Sequence, residues 1–141
     1  MPAKNKTSKN IIIPTLELIT ALGIILFWIY FFMVENCDPS NSGIYLAFER
    51  AFPLADIGWL VPALTIGAIG LIKKQWFGAV FSLVGGGTLI FLALLDISFN
   101  VFYGIYTQSI TGGIMNGLIN LWSLFFGISL VVYISRNSKI S

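Results

Sequence analysis

The chain has no histidine, a single cysteine and few charges, and each scarcity removes a class of function. Without histidine, His-ligated haem, His-ligated zinc and every nucleophile–histidine couple are excluded. Cys37 is alone, so there is no intrachain disulfide, no CxxC redox pair and no cysteine-rich metal site. Charged residues make up 10% of the 141, against 57% hydrophobic, where a soluble domain is about a quarter charged. So few charges cannot cover a water-facing surface, which leaves lipid as the solvent for most of the chain. The length gives room for one membrane domain, residues 1–141, and for no separate catalytic module. The net charge of +2 forms no patch for nucleic acid.

The charges that remain are sorted. Lys4, Lys6, Lys9, Lys73, Lys74, Arg136 and Lys139 fall in the N-terminal tail, the second connection and the C-terminal tail. Glu35, Asp38, Glu49, Asp56 and Asp96 fall in or beside the first and third connections. Cytoplasmic Lys and Arg orient membrane proteins, so this pattern predicts four spans with both termini cytoplasmic. Apolar runs of about 20 residues cross a hydrocarbon core of ~30 Å, and four such runs occur, at about 11–34, 54–72, 76–97 and 114–134. The first is too long for a signal-peptide core and no small-residue cleavage site follows it, so it reads as a retained helix. The expected fold is all-α: an antiparallel four-transmembrane-helix bundle in the cell membrane. Between the first two spans, 35–43 is dense in turn formers, and 44–52 reads as a short amphipathic helix in an extracytoplasmic loop 35–53. Pro62 should bend the second span by leaving the Gly58 carbonyl without its usual donor.

Helices in lipid associate through small residues and buried polar contacts. Helical spacing puts Glu17, Thr20, Ala21 and Ile24 on one face of the first span, and Asp56, Ala63, Gly67 and Gly70 on one face of the second. Gly78, Ser82, Gly85, Gly86, Ala93, Asp96 and Asn100 line the third, and Asn116, Asn120, Ser123 and Gly127 the fourth. At 1.5 Å per residue, Asp56, Asp96, Asn100, Asn116 and Asn120 lie within roughly 10–12 Å of the outer interface. With Glu49 nearby they predict an acidic, amide-rich vestibule, in which Arg50 is the basic residue available for pairing. Intramembrane polar groups point to function by default, although Asp56 capping its helix and the asparagines acting as interhelical glue are the structural alternatives. Glu17 stands two turns inside the opposite interface, where it either carries a proton or pairs with Lys73 or Lys74; Asp96 is the proton-carrying candidate in the vestibule.

The segments Phe48-Glu49-Arg50-Ala51-Phe52-Pro53-Leu54-Ala55-Asp56 and Leu92-Ala93-Leu94-Leu95-Asp96, with Phe99-Asn100, resemble a group of small four-span prokaryotic membrane proteins. The likeness runs from about Tyr45 through Asn120. It implies the same architecture and directs attention to Glu49, Asp56, Asp96 and Asn100, but implies no activity. Small four-helix multidrug transporters carry one glutamate in their first span, as Glu17 is here, but the long first loop and the acidic cluster depart from that pattern.

Three functions compete on these grounds. Acidic and amide oxygens suit binding or transport of a cation or small cationic solute. Glycine-rich faces suit an accessory subunit of a larger membrane assembly, or a homo-oligomer. Carboxylates working as acid and base suit an enzyme acting on a lipid or isoprenoid. No cofactor is expected, and the bilayer is the one certain partner.

Overall fold

The computed structural model describes residues 10–138; the basic residues Lys4, Lys6, Lys9 and Lys139 lie outside them. All regular structure among the described residues is helical. α1 spans Ile12–Met33, α2 Gly43–Glu49, α3 Pro53–Ala55, α4 Val61–Ile72, α5 Trp76–Phe102, α6 Ile105–Gln108 and α7 Ile110–Asn137. Four helical segments are long and apolar enough to cross a membrane: Ile12–Cys37, Gly43–Ile72, Trp76–Phe102 and Ile110–Asn137. Large apolar side chains such as Leu22, Phe91, Leu94, Leu121 and Phe125 are exposed on their outer faces, as a lipid solvent requires.

The connections are tighter than the sequence suggests. α5 continues to Phe102, past the expected end at 97, and α7 begins at Ile110 rather than 114. The expected loop at 98–112 shrinks to a turn at Tyr103 and Gly104 and the one-turn helix α6. Gly104 has φ +63°, the left-handed conformation that ends helices and that glycine adopts without a Cβ penalty. Ser109 then caps α7, its hydroxyl accepting the Gly112 N–H at 3.3 Å. At the other end of the bundle, α4 stops in a 6→1 bond from Gln75 N–H to Gly70 O, 2.8 Å, with Lys74 in the left-handed region.

Pro62 does disturb the second span, by a defined device. It has no N–H, and its ring crowds the carbonyl four residues back. The chain answers just before it by widening one turn, Asp56–Leu60, to a π-helical pattern in which Val61 N–H donates to Asp56 O. Such bulges reorient the side chains around them, and this one starts at Asp56.

The small-residue faces are the buried ones. α1 packs on α4, α4 on α5, and α5 on α7. The α4–α5 seam closes backbone on backbone at Gly70 and Gly78, where a Cβ on either would collide with the other helix's main chain. The α5–α7 seam closes at Gly86 and Gly127, with a Gly127 Cβ only 2.9 Å from Gly86 O. Leu64, Leu89, Leu130 and Ile134 fill the core beside these seams. Across the remaining side, α1 and α7 barely meet. Trp122 N–H donates to Thr20 Oγ1 at 3.2 Å and Asn10 donates to Tyr133 OH at 2.7 Å, and these are their polar ties.

Candidate functional site

The gap between α1 and α7 is a cavity of about 620 Å³. Ile19, Gly23 and Phe27 form one wall and Met115, Leu118 and Ile119 the other, with Leu60 of the π-helical turn and Leu89, Leu92 and Ala93 of α5 behind. Its polar residues include Glu49, Asp56, Asp96, Asn116 and Asn120. Five of the eight residues marked out by sequence therefore share one cleft, drawn from α2, the π-helical turn, α5 and α7.

Each reaches the cleft for a local reason. Ser42 caps α2 by accepting the Tyr45 N–H at 3.2 Å, and the Phe48 ring stacks flat on Phe99, with centroids 3.7 Å apart. That stack presses α2 onto α5, leaving Glu49 only 6% exposed and within electrostatic range of Asp96, Glu35 and Asp56. The widened turn presents Asp56 to α1, where Trp28 N–H donates to its Oδ2 at 2.9 Å. Asp96 lies between Asn100 and Asn120. The Asn120 amide donates to Tyr106 OH at 2.8 Å, which ties α7 to α6.

Two polar groups are left without partners here. Asp96 Oδ1 is buried with no hydrogen bond, as are both amide atoms of Asn100, a fully buried side chain. Buried polar groups are satisfied as a rule, so exceptions call for an explanation. Asn100 does not line the cleft itself; it stands behind Asp96, one turn along α5.

Two expected pairings are not made. Arg50 is exposed and its Nε donates to Asn36 Oδ1 at 2.8 Å, which directs it along the loop rather than into the acidic cluster. Arg50 keeps helical backbone angles, so it stands about 100° around the helix from the inward Glu49. Glu17 does not pair with Lys73 or Lys74 either: both lysines are exposed, while Glu17 is fully buried with neither carboxyl oxygen hydrogen-bonded.

Three contributors were missed in the sequence: Trp28, Tyr45 and Tyr106. Trp28 was within reach, because the stripe Glu17, Ala21, Ile24 extends to it at helical spacing. Tyr45, whose hydroxyl donates to Glu35 Oε2 at 2.9 Å, and Tyr106 belong to short elements with too few turns to show a face.

No group of His, Cys, Asp and Glu suited to a metal ion occurs among the described residues. No family model, curated protein or solved structure matches this chain. The four apolar helices define a multi-pass membrane protein. The chemistry of the cleft is the remaining guide to its role.

Proposed function

We propose that this protein binds an amphipathic cation within the membrane, with the apolar body between α1 and α7 and the positive head among Glu49, Asp56 and Asp96. Both termini face the cytoplasm in this reading, which places the acidic end of the cleft toward the outer face of the cell membrane. The Asp96 carboxyl, whose Oδ1 is buried without a hydrogen bond, carries the proposal. A carboxylate without a basic neighbour at the end of an apolar cleft supplies what a hydrophobic cation lacks in lipid, a counter-charge in low dielectric. Asn116 and Asn120 add amide oxygens around the head, and Asn100 steadies Asp96 from behind. The apolar walls favour a ligand that enters from the lipid.

Equilibrium dialysis of tetraphenylphosphonium against the protein in lipid nanodiscs tests this. Saturable binding is expected, with Asp96→Asn weakening it at least about tenfold, or roughly 1.4 kcal/mol. Undiminished binding by Asp96→Asn counts against it. A second reading rests on the same open side: α1 and α7 barely touch, so a helix of another membrane subunit fits between them. Co-purification of a stoichiometric partner in mild detergent, with no cation binding, favours that accessory role.

A further inference from the structure

At the end of α1 away from the acidic cluster, Glu17 is buried where α1, α4 and α5 meet, and the cleft does not use it. Its exposure is 0%, and both carboxyl oxygens lack a hydrogen-bond donor. Ser82 of α5, also 0% exposed, faces the same point with its hydroxyl oxygen unpartnered. Gly67 of α4 makes the room: a Cβ there would lie 2.7 Å from Ser82 Oγ and 3.0 Å from Glu17 Oε1. Three helices thus converge on one carboxyl, one hydroxyl and one missing side chain.

An ionised carboxylate so placed needs a cation or a set of donors. Neither is at hand. α4 presents Gly67, with its charged residues Lys73 and Lys74 exposed at its end, and α5 presents Ser82, with Asp96 in the cleft at its other half. Along described α1, Glu17 is the one charged residue. A metal ion does not fit this point, since hard cations take about six or more oxygens; here two side chains offer three, and the packing around Gly67 leaves no gap. A proton fits. A neutral acid gains an O–H donor, and Ser82 Oγ is a free acceptor beside it.

We propose that Glu17 and Ser82 form a proton-binding site at the α1–α4–α5 junction, separate from the cleft and occupied while the three helices are packed. The proton bound to one Glu17 oxygen is shared with Ser82 Oγ, and no other atom changes its bonding. Thr20, one turn further along α1, lines the cleft.

Infrared spectroscopy of the lipid-reconstituted full chain near pH 6, where exposed carboxyls are ionised, reads the site directly. A carboxylic-acid C=O band should stand in the wild-type-minus-Glu17→Gln difference spectrum, should shift on H/D exchange and should persist in an Asp96→Asn background. Ser82→Ala should keep the band but move it to higher frequency, because the acid loses its acceptor; a purely packing role for Ser82 leaves the frequency unchanged. Absence of the band from that difference spectrum overturns the proposal. Neither result bears on cation binding in the cleft.

Discussion

The two sides of this bundle obey opposite rules. Along α4–α5 and α5–α7 the backbones meet at Gly70, Gly78, Gly86 and Gly127, and no side chain separates them. Between α1 and α7 stand large side chains, Phe27, Met115, Leu118 and Trp122, around about 620 Å³ of space. Lipid tails are as apolar as leucine, so helices in a membrane gain from close packing and hydrogen bonds rather than from hydrophobic burial. Glycine seams supply the first and close. Among the described residues the α1–α7 side has two polar ties, one of them from Asn10 just before α1, and it stays open where the acidic residues gather. Stability and binding are thereby assigned to different seams.

The largest break in this contrast comes from filling a closed seam. Gly78→Ala drives a methyl into the α4 backbone, which cannot move aside as a side chain can. Its cost should reach or exceed the upper range of ordinary overpacking, about 3 kcal/mol. Gly117→Ala, with nothing within 4 Å of its Cβ, should be neutral or up to about 1 kcal/mol stabilising through helix propensity. Thermal unfolding in detergent compares the two, and equal melting temperatures refute the division of labour.

A smaller effect is expected at the border of the cleft. Trp28→Phe keeps the ring packing and removes the N–H that Asp56 accepts. Hydrogen bonds to charged groups contribute about 1.5–3 kcal/mol, so chemical denaturation should register a loss within that range. Trp122→Phe cuts a tie across the open side, and a neutral bond is worth about 0.5–1.5 kcal/mol. Its clearer signature is geometric: spin labels on α1 and α7 should report a broader distance distribution, while labels on α4 and α5 should not.

The smallest effect lies in the first loop. Ser40 holds Asp38 with its hydroxyl at 2.7 Å and its amide at 2.8 Å, keeping that carboxyl below the ordinary carboxylate range. A carboxyl depressed in the folded state stabilises above its unfolded pKa, and that contribution fades as pH falls through the folded value. Amide exchange in the 38–42 turn should therefore quicken on acidification, and Asp38→Asn should remove the dependence.

Much of this was legible in the residues. Four apolar runs gave four membrane-length helices, and the faces carrying Gly67, Gly70, Gly78, Ser82, Asn116 and Asn120 are buried. Helical period reveals a face only when a helix runs for several turns, so α2 and α6, and with them Tyr45 and Tyr106, stayed hidden. The opening between α1 and α7 was invisible for another reason. Period tells which side of a helix looks inward, not how far apart two inward sides stand. Arg50 was legible in part, since a residue next to the inward Glu49 on a helix stands about 100° around from it.

Tryptophan fluorescence can locate a ligand in the cleft, between its apolar body and its acidic end. Trp28 lies inside the cleft, whereas Trp59 is exposed on the outer surface. Variants retaining one or the other tryptophan are titrated in nanodiscs with a brominated alkyltrimethylammonium. Saturable quenching of Trp28, abolished by Asp96→Asn, with only non-saturable quenching of Trp59, is the predicted result. Equal quenching of both tryptophans, unchanged by Asp96→Asn, contradicts it.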